Sequence, residues 1–255
     1  MSTDVQTDTA LFELALRMGD NTLILGQQVS AWCGHAPILE EDIALANTAL
    51  DLIGQTKLWL ALAGEIEGKG RSADDLAFLR DARAFRNVLL VEQPNGDFGQ
   101  TLMRQYLFDA WHLPMLTALK NSIETRVADI AEKSAKEAAY HLERSEDLII
   151  RLGDGSDESH TRMQNALDAL WPFAGELTQP DAIDDELAQR GLAPDLADIK
   201  TRHEERMRAA LKEATLQVPE AAIRKGGKQG MHSEGLGYLL SDMQWLQRAY
   251  PGAEW

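Results

Sequence analysis

The residues of this chain whose types and spacing could do chemistry lie in two stretches. Asp109 sits on the stripe Leu102, Tyr106, Leu113 and Leu116. His141 sits on the stripe Ser134, Ala138, Ser145 and Leu148. At steps of three and four, each set shares one face of a helix. A carboxylate and an imidazole facing one helical interior begin a carboxylate-bridged metal site. In helical bundles such a site takes a Glu or Asp from one helix of each pair and a Glu-x-x-His from the other. The remainder of that pattern is missing. Ala138 stands three residues before His141, where the Glu belongs, and Glu137 lies about 100° away around the helix. In the earlier half, Leu52 and Gln55 stand at the Glu and His places, and Thr22 where a further Glu would point inward. Asp109 and His141 are therefore expected to hydrogen-bond to each other, because an unpaired charge inside a bundle is costly.

Three other groups carry weaker signals. His112 follows Asp109 by three residues but turns toward a neighbouring apolar face, which suits a structural or interface role. Glu137 and His141, four apart, match a zinc-binding pair without third and fourth ligands. The segment from Arg224 to Gly230 is basic and Gly-rich in an acidic chain. Its Arg224, Lys225 and Lys228 suit contact with a partner protein or with the phosphates of a ligand. It has no strand–loop–helix context, so it is not a P-loop.

Long helices must position these residues. Gly and Pro cluster at 34–37, 64–71, 94–96, 153–155, 191–194 and 219–230, and the segments between read as helices. No run alternates as a strand does. Bundle helices are expected at about 9–33, 39–63, 98–121 and 125–152, in two antiparallel pairs joined by a crossover that holds a short helix near 73–85. Accessory helices follow at 156–174, 181–190, 195–216 and 234–250. The spacing predicts an all-α four-helix bundle with additional packing helices, in one domain spanning 1–255. The second helix carries two apolar stripes, Leu39, Ile43, Ala46, Leu50, Ile53 and Leu45, Leu52, Trp59. That marks it as central and buried. The Trp residues at 32, 59, 111, 171 and 245 are expected as core or interface anchors.

Composition sets the outer limits. The net charge of −16 opposes binding to nucleic acid and to anionic membrane surfaces. No apolar stretch reaches the ~20 residues of a membrane span. The single cysteine, Cys33, cannot form an internal disulfide, and the acidic N-terminal residues do not resemble a signal peptide. A cytoplasmic protein is expected.

Several segments together resemble a known family. They are Trp32-Cys33-Gly34-His35-Ala36-Pro37, Leu90 to Gly96, Gln105-Tyr106 through Trp111-His112, Lys136-Glu137-Ala138 through His141-Leu142, and Gly226-Gly227-Lys228 through Met231-His232. The chain resembles, over nearly its whole length, the C subunits of bacterial phenylacetyl-CoA epoxidases. The resemblance implies a ferritin-like fold and a non-catalytic role. In that family a related A subunit holds a di-iron centre, binds phenylacetyl-CoA and inserts one oxygen atom into the aromatic ring. A reductase subunit with FAD and an iron–sulfur cluster delivers electrons from NADPH. The resemblance places Thr22, Leu52, Gln55, Asp109, Ala138 and His141 at the six metal-ligand positions of the A subunit. No cofactor is then expected in this chain, and its partners are the A subunit and the other subunits, including the reductase. The alternative from a different class is a self-sufficient metal-dependent oxidase or hydroxylase. A ferritin-like storage protein would need the same absent ligands.

Overall fold

The computed structural model describes residues 8–253. Among the described residues there are nine α-helices and no strand, in a ferritin-like arrangement. The first helix, α1 (Thr9–Ser30), starts at Asp8, whose side chain accepts from the Leu11 amide at 3.2 Å. It ends three residues earlier than expected. The amides of Trp32 and Cys33 bond back only three residues, to Val29 and Ser30, so the chain tightens into 3-10 turns there. Nearly every side chain of α1 from Ala10 to Gly26 is buried, so α1 is the central helix.

Helix α2 (Leu39–Glu67) runs antiparallel to α1 and is longer than expected. Gly64 does not break it. The chain folds back so closely that a Cβ on Gly64 would lie 2.2 Å from the Arg71 carbonyl, and the true stop is Gly68 in the left-handed region. The two stripes of α2 have different fates. Leu45, Leu52 and Trp59 are fully buried, each such side chain contributing about 1.5–3 kcal/mol. Leu39, Ile43 and Leu50 are 70%, 52% and 70% exposed, against the expectation of a helix buried on two faces. α1 already fills the interior, so the second stripe has no inward surface left to cover.

The crossover contains α3 (Ala73–Phe78) and a 3-10 turn at Ala82–Ala84, rather than one helix over 73–85. Side chains of α1 hold it open. Asp20 pairs with the Arg80 guanidinium and accepts from the Arg86 amide at 2.8 Å, and Asn21 accepts from the Val88 amide at 2.8 Å. Irregular backbone at Arg86 and Val88 thus finds partners that a helix would not need.

The second pair is α4 (Phe98–Leu119), capped by Asp97, and α5 (Thr125–Gly153). Helices α6 (Asp157–Ala174) and α8 (Leu196–Glu213) pack on α4 and α5, α7 (Ala182–Gln189) on α1, and α9 (Glu234–Ala249) on α3. No helix is long and apolar enough to cross a membrane, among the described residues.

Candidate functional site

The polar residues of the bundle interior converge from α2, α4 and α5, with pairings that differ from those expected. Asp109 and His141 do not bond each other. Asp109, fully buried on α4, accepts from Gln105 Nε2 at 2.7 Å and from Ser145 Oγ at 2.9 Å. His141, on α5, has its Nε2 3.0 Å from Asp51 Oδ2 on α2. The reason is reach. Gln105 lies one turn before Asp109 on the same helix and Ser145 faces it from α5, so neutral donors enclose the carboxylate. His141 turns to the α2 side of α5, where Asp51 is half exposed and keeps its solvation. Burial still pushes the Asp109 carboxyl up to about 6, against the lowering influence of nearby His141, Ser145 and Gln105.

The other family positions are occupied as follows. Thr22 Oγ1 lies 2.9 Å from Thr56 Oγ1 and bonds back to the Met18 carbonyl at 3.1 Å, a closed pair within α1 and α2. Gln55 donates to Glu137 Oε2 at 2.9 Å, so Glu137 faces α2 rather than pairing with His141. Leu52 and Ala138 are fully buried and bring only carbon. His112 also lies in the interior, fully buried between Phe108 and Trp111, with ring centroids 4.8 and 5.9 Å away. Neither of its nitrogens has a partner among the described residues. Burial, and secondarily His141, lowers its pKa to about 3, so the ring is neutral.

A two-iron centre needs several carboxylates, some of them bridging, together with imidazoles. The six positions supply one carboxylate and one imidazole, each engaged with a different partner, and this donor set does not fit such a centre. Among the described residues, no group of three or more His, Cys, Asp or Glu side chains is placed to hold a metal ion.

The basic loop has a different use from the one its composition suggests. Lys228 is buried, and its Nζ donates to Asp184 Oδ2 at 2.8 Å and to the Gln179 carbonyl at 2.9 Å. It is therefore not available to a partner or to CoA. Asp184 and Asp181 also bind Arg17, at 2.9 and 2.8 Å, so α1, α7 and the loop are joined through one charge network. Glu176 accepts from the Leu89 and Gly226 amides, each at 2.8 Å. Gly227 is required by contact, since a Cβ there would lie 2.1 Å from the Asn87 carbonyl. Arg224 is exposed and lies over the Phe173 ring at 5.4 Å; Lys225 is exposed. Of the Trp residues, Trp59 and Trp111 are core, Trp32 donates to Thr101 Oγ1 at 2.8 Å, and Trp245 is 62% exposed.

Sequence reasoning did not assign Asp51, Gln105 and Ser145 as partners. Gln105 lies four residues before Asp109, and that spacing was the available signal. The side of α5 on which His141 meets α2 had no signal in one sequence.

Fold and site together define a ferritin-like helical protein whose interior keeps polar residues but not the ligands of a bridged metal pair. The family model for phenylacetic acid catabolic proteins matches residues 2–255, and the chain belongs to this family. A curated relative is the C subunit of 1,2-phenylacetyl-CoA epoxidase from Escherichia coli (strain K12). It is 49% identical over 241 residues, covering 94% of this chain and 97% of the relative.

Proposed function

We propose that this chain is the structural, non-catalytic subunit of a phenylacetyl-CoA 1,2-epoxidase in phenylacetate degradation. In this reading it stabilises and positions a related A subunit that carries the di-iron centre, and performs no redox step. A reductase subunit with FAD and an iron–sulfur cluster passes electrons from NADPH to the A subunit. The name of the E. coli relative supports the complex. The donor set at Thr22, Leu52, Gln55, Asp109, Ala138 and His141 supports the absence of redox chemistry in this chain.

The observation that carries the structural role is the outer face of α2. Leu39, Ile43 and Leu50 lie exposed at steps of four and seven, and Ile38 beside them is 56% exposed. Gly54 continues the stripe, and a Cβ there would meet nothing within 4 Å. An apolar helical stripe with a small residue accepts a second helix at close range. Apolar stripes of this kind mark interfaces between protein chains, and a stable one buries ~2,000 Å² or more.

Co-expression with a phenylacetyl-CoA epoxidase A subunit should yield a co-purifying complex. The triple variant Leu39→Asp, Ile43→Asp, Leu50→Asp should keep its helical circular dichroism and lose the complex. An A subunit that is soluble and fully active without this chain overturns the reading. Stoichiometric iron in the isolated chain overturns it in favour of a metal-dependent oxidase.

A further inference from the structure

The C-terminal helices enclose a cavity of about 470 Å³, remote in sequence from the exposed stripe of α2. Its walls come from α6 (Trp171, Ala174), α8 (His203, Met207) and the segment after α8 (Val218, Ile223). That volume lies within the range of small-molecule sites.

The cavity is built by a strap held at both ends. Thr215, at the end of α8, has φ of 60°, the one non-glycine residue in the left-handed region among those described. A β-branched residue adopts that conformation only where the surroundings impose it. The turn sends the chain back across α6. There the Gln217 amide donates to Gln164 Oε1 and Gln164 Nε2 donates to the Gln217 carbonyl, both at 2.8 Å. At the far end the Arg224 amide donates to the Pro172 carbonyl at 2.7 Å. Val218 and Ile223, between the two anchors, are 44% and 50% exposed.

Two uncharged polar side chains line the wall, Thr178 and His203, and the second presents an imidazole. His203 is buried, with a relative exposure of 2%, and its Nε2 lies 3.3 Å from the Leu107 carbonyl on α4. A carbonyl oxygen can only accept, so Nε2 carries the hydrogen and Nδ1 is an acceptor without a protein partner among the described residues. Burial lowers the pKa of this ring to about 4, which keeps it neutral near pH 7. At the mouth, Arg208 pairs with Glu204 at 3.5 Å, so neither charge is offered alone to a ligand. Trp171 and Met207 supply surfaces that favour an aromatic ring.

We propose that this cavity binds a small neutral aromatic molecule bearing one hydrogen-bond donor, of the phenol class, with its ring between Trp171 and Met207 and its hydroxyl donating to His203 Nδ1. Calorimetric titration of the full chain with 4-methylphenol, toluene and benzoate tests this. Saturable binding of 4-methylphenol is expected, with toluene roughly 2- to 10-fold weaker for want of the donor and benzoate not detectably bound. Val218→Trp, at a half-exposed position on the wall, should abolish binding while leaving the thermal transition in place. His203→Phe should make 4-methylphenol and toluene equal. The proposal is overturned by 4-methylphenol binding that survives Val218→Trp, or by equal affinities for 4-methylphenol and toluene in the unsubstituted chain. Absence of saturable 4-methylphenol binding also overturns it and leaves the cavity to a side chain of a partner protein.

Discussion

Buried polar groups are treated in two opposite ways in this molecule. Around the crossover and the C-terminal loop the buried carboxylates are each held by more than one donor: Asp20 holds Arg80 and a backbone amide, Glu176 holds two amides, and Glu92 accepts from the Ser233 amide at 2.6 Å and lies 3.0 Å from His232. In the centre of the bundle the polar groups are underemployed. Both nitrogens of His112, His141 Nδ1, Gln55 Oε1, Gln105 Oε1 and Ser134 Oγ have no partner among the described residues. Well-paired carboxylates that bind backbone are what irregular chain requires, because its amides have no helix to satisfy them. Regular helices require nothing of the kind, so the polar centre of the bundle is not there to satisfy backbone. Under the proposed function, an interior that keeps imidazoles and a carboxylate without a binding set is a site relieved of metal chemistry but not fully repacked.

The largest effect that would break this contrast is at the crossover. Asp20→Ala leaves the Arg80 guanidinium buried with carbonyl partners and no counter-charge, and should cost about 3–5 kcal/mol by chemical denaturation. A loss below about 1 kcal/mol would mean that the crossover does not depend on α1. The next effect comes from Asp109. Its folded pKa of about 6 lies above the ordinary carboxyl value of 3.8, so between these limits the folded chain holds a proton that the unfolded chain has released. Stability from this group is present at acid pH and is lost as pH rises through about 6. Asp109→Asn removes the titration. The stability difference should therefore shift in favour of the Asn variant by on the order of 3 kcal/mol between about pH 4 and pH 7. A difference that does not change with pH would contradict the burial argument.

The smallest effect sharpens the other side of the contrast. His112 is neutral when folded, with its pKa near 3, whereas in the unfolded chain it takes up a proton below about 6.5. His112→Phe should be neutral or stabilising by about 1 kcal/mol at pH 8, and by roughly 2 kcal/mol more at pH 5. A large loss of stability at pH 8 would show that His112 has an essential polar partner. Together the three variants measure whether polar groups in the centre are surplus while those at the crossover are indispensable.

Much of the fold was legible because long helices write their period into the sequence. The stripes of Leu102 to Leu116 and Ser134 to Leu148 lie on the inward faces of α4 and α5, the breaks at Gly34–Pro37 and Gly153 fall where helices end, and Pro94–Gly96 falls just before α4 begins. The face of α2 was misread, since two apolar stripes look alike until it is known that α1 occupies the interior. The inward residues of the site were legible for the same reason as the helices: helical phase places Asp109 and His141 inward. Their partners were not, because the choice between Asp51 and Asp109 for His141 depends on how α5 is rotated against α2, a quantity with no local signature. The basic loop misled by composition. Lys228 has a counter-charge in Asp184, 44 residues away, and no short-range pattern announces it.

The packing of α9 on α3 has a consequence in time. Gln244 Nε2 donates to the carbonyls of Ala77 and Arg80, both at 3.0 Å, across separations of 167 and 164 residues. During synthesis the crossover is made early and its cover arrives only after all the bundle helices have been made. At roughly 5–20 residues per second that interval is on the order of ten seconds or more. Through it Ala77 lacks the helix whose Gln244 finally bonds its carbonyl, so the nascent chain carries an open surface on α3 that only the arrival of α9 closes. Completion of this part of the fold is thus coupled to the synthesis of α9, and a truncated product lacking residues 234–249 would leave that surface open and be a substrate for chaperones and proteases. Protease sensitivity between Ala77 and Arg80 in such a truncation, absent when α9 is present, is the measurable sign of this order of events.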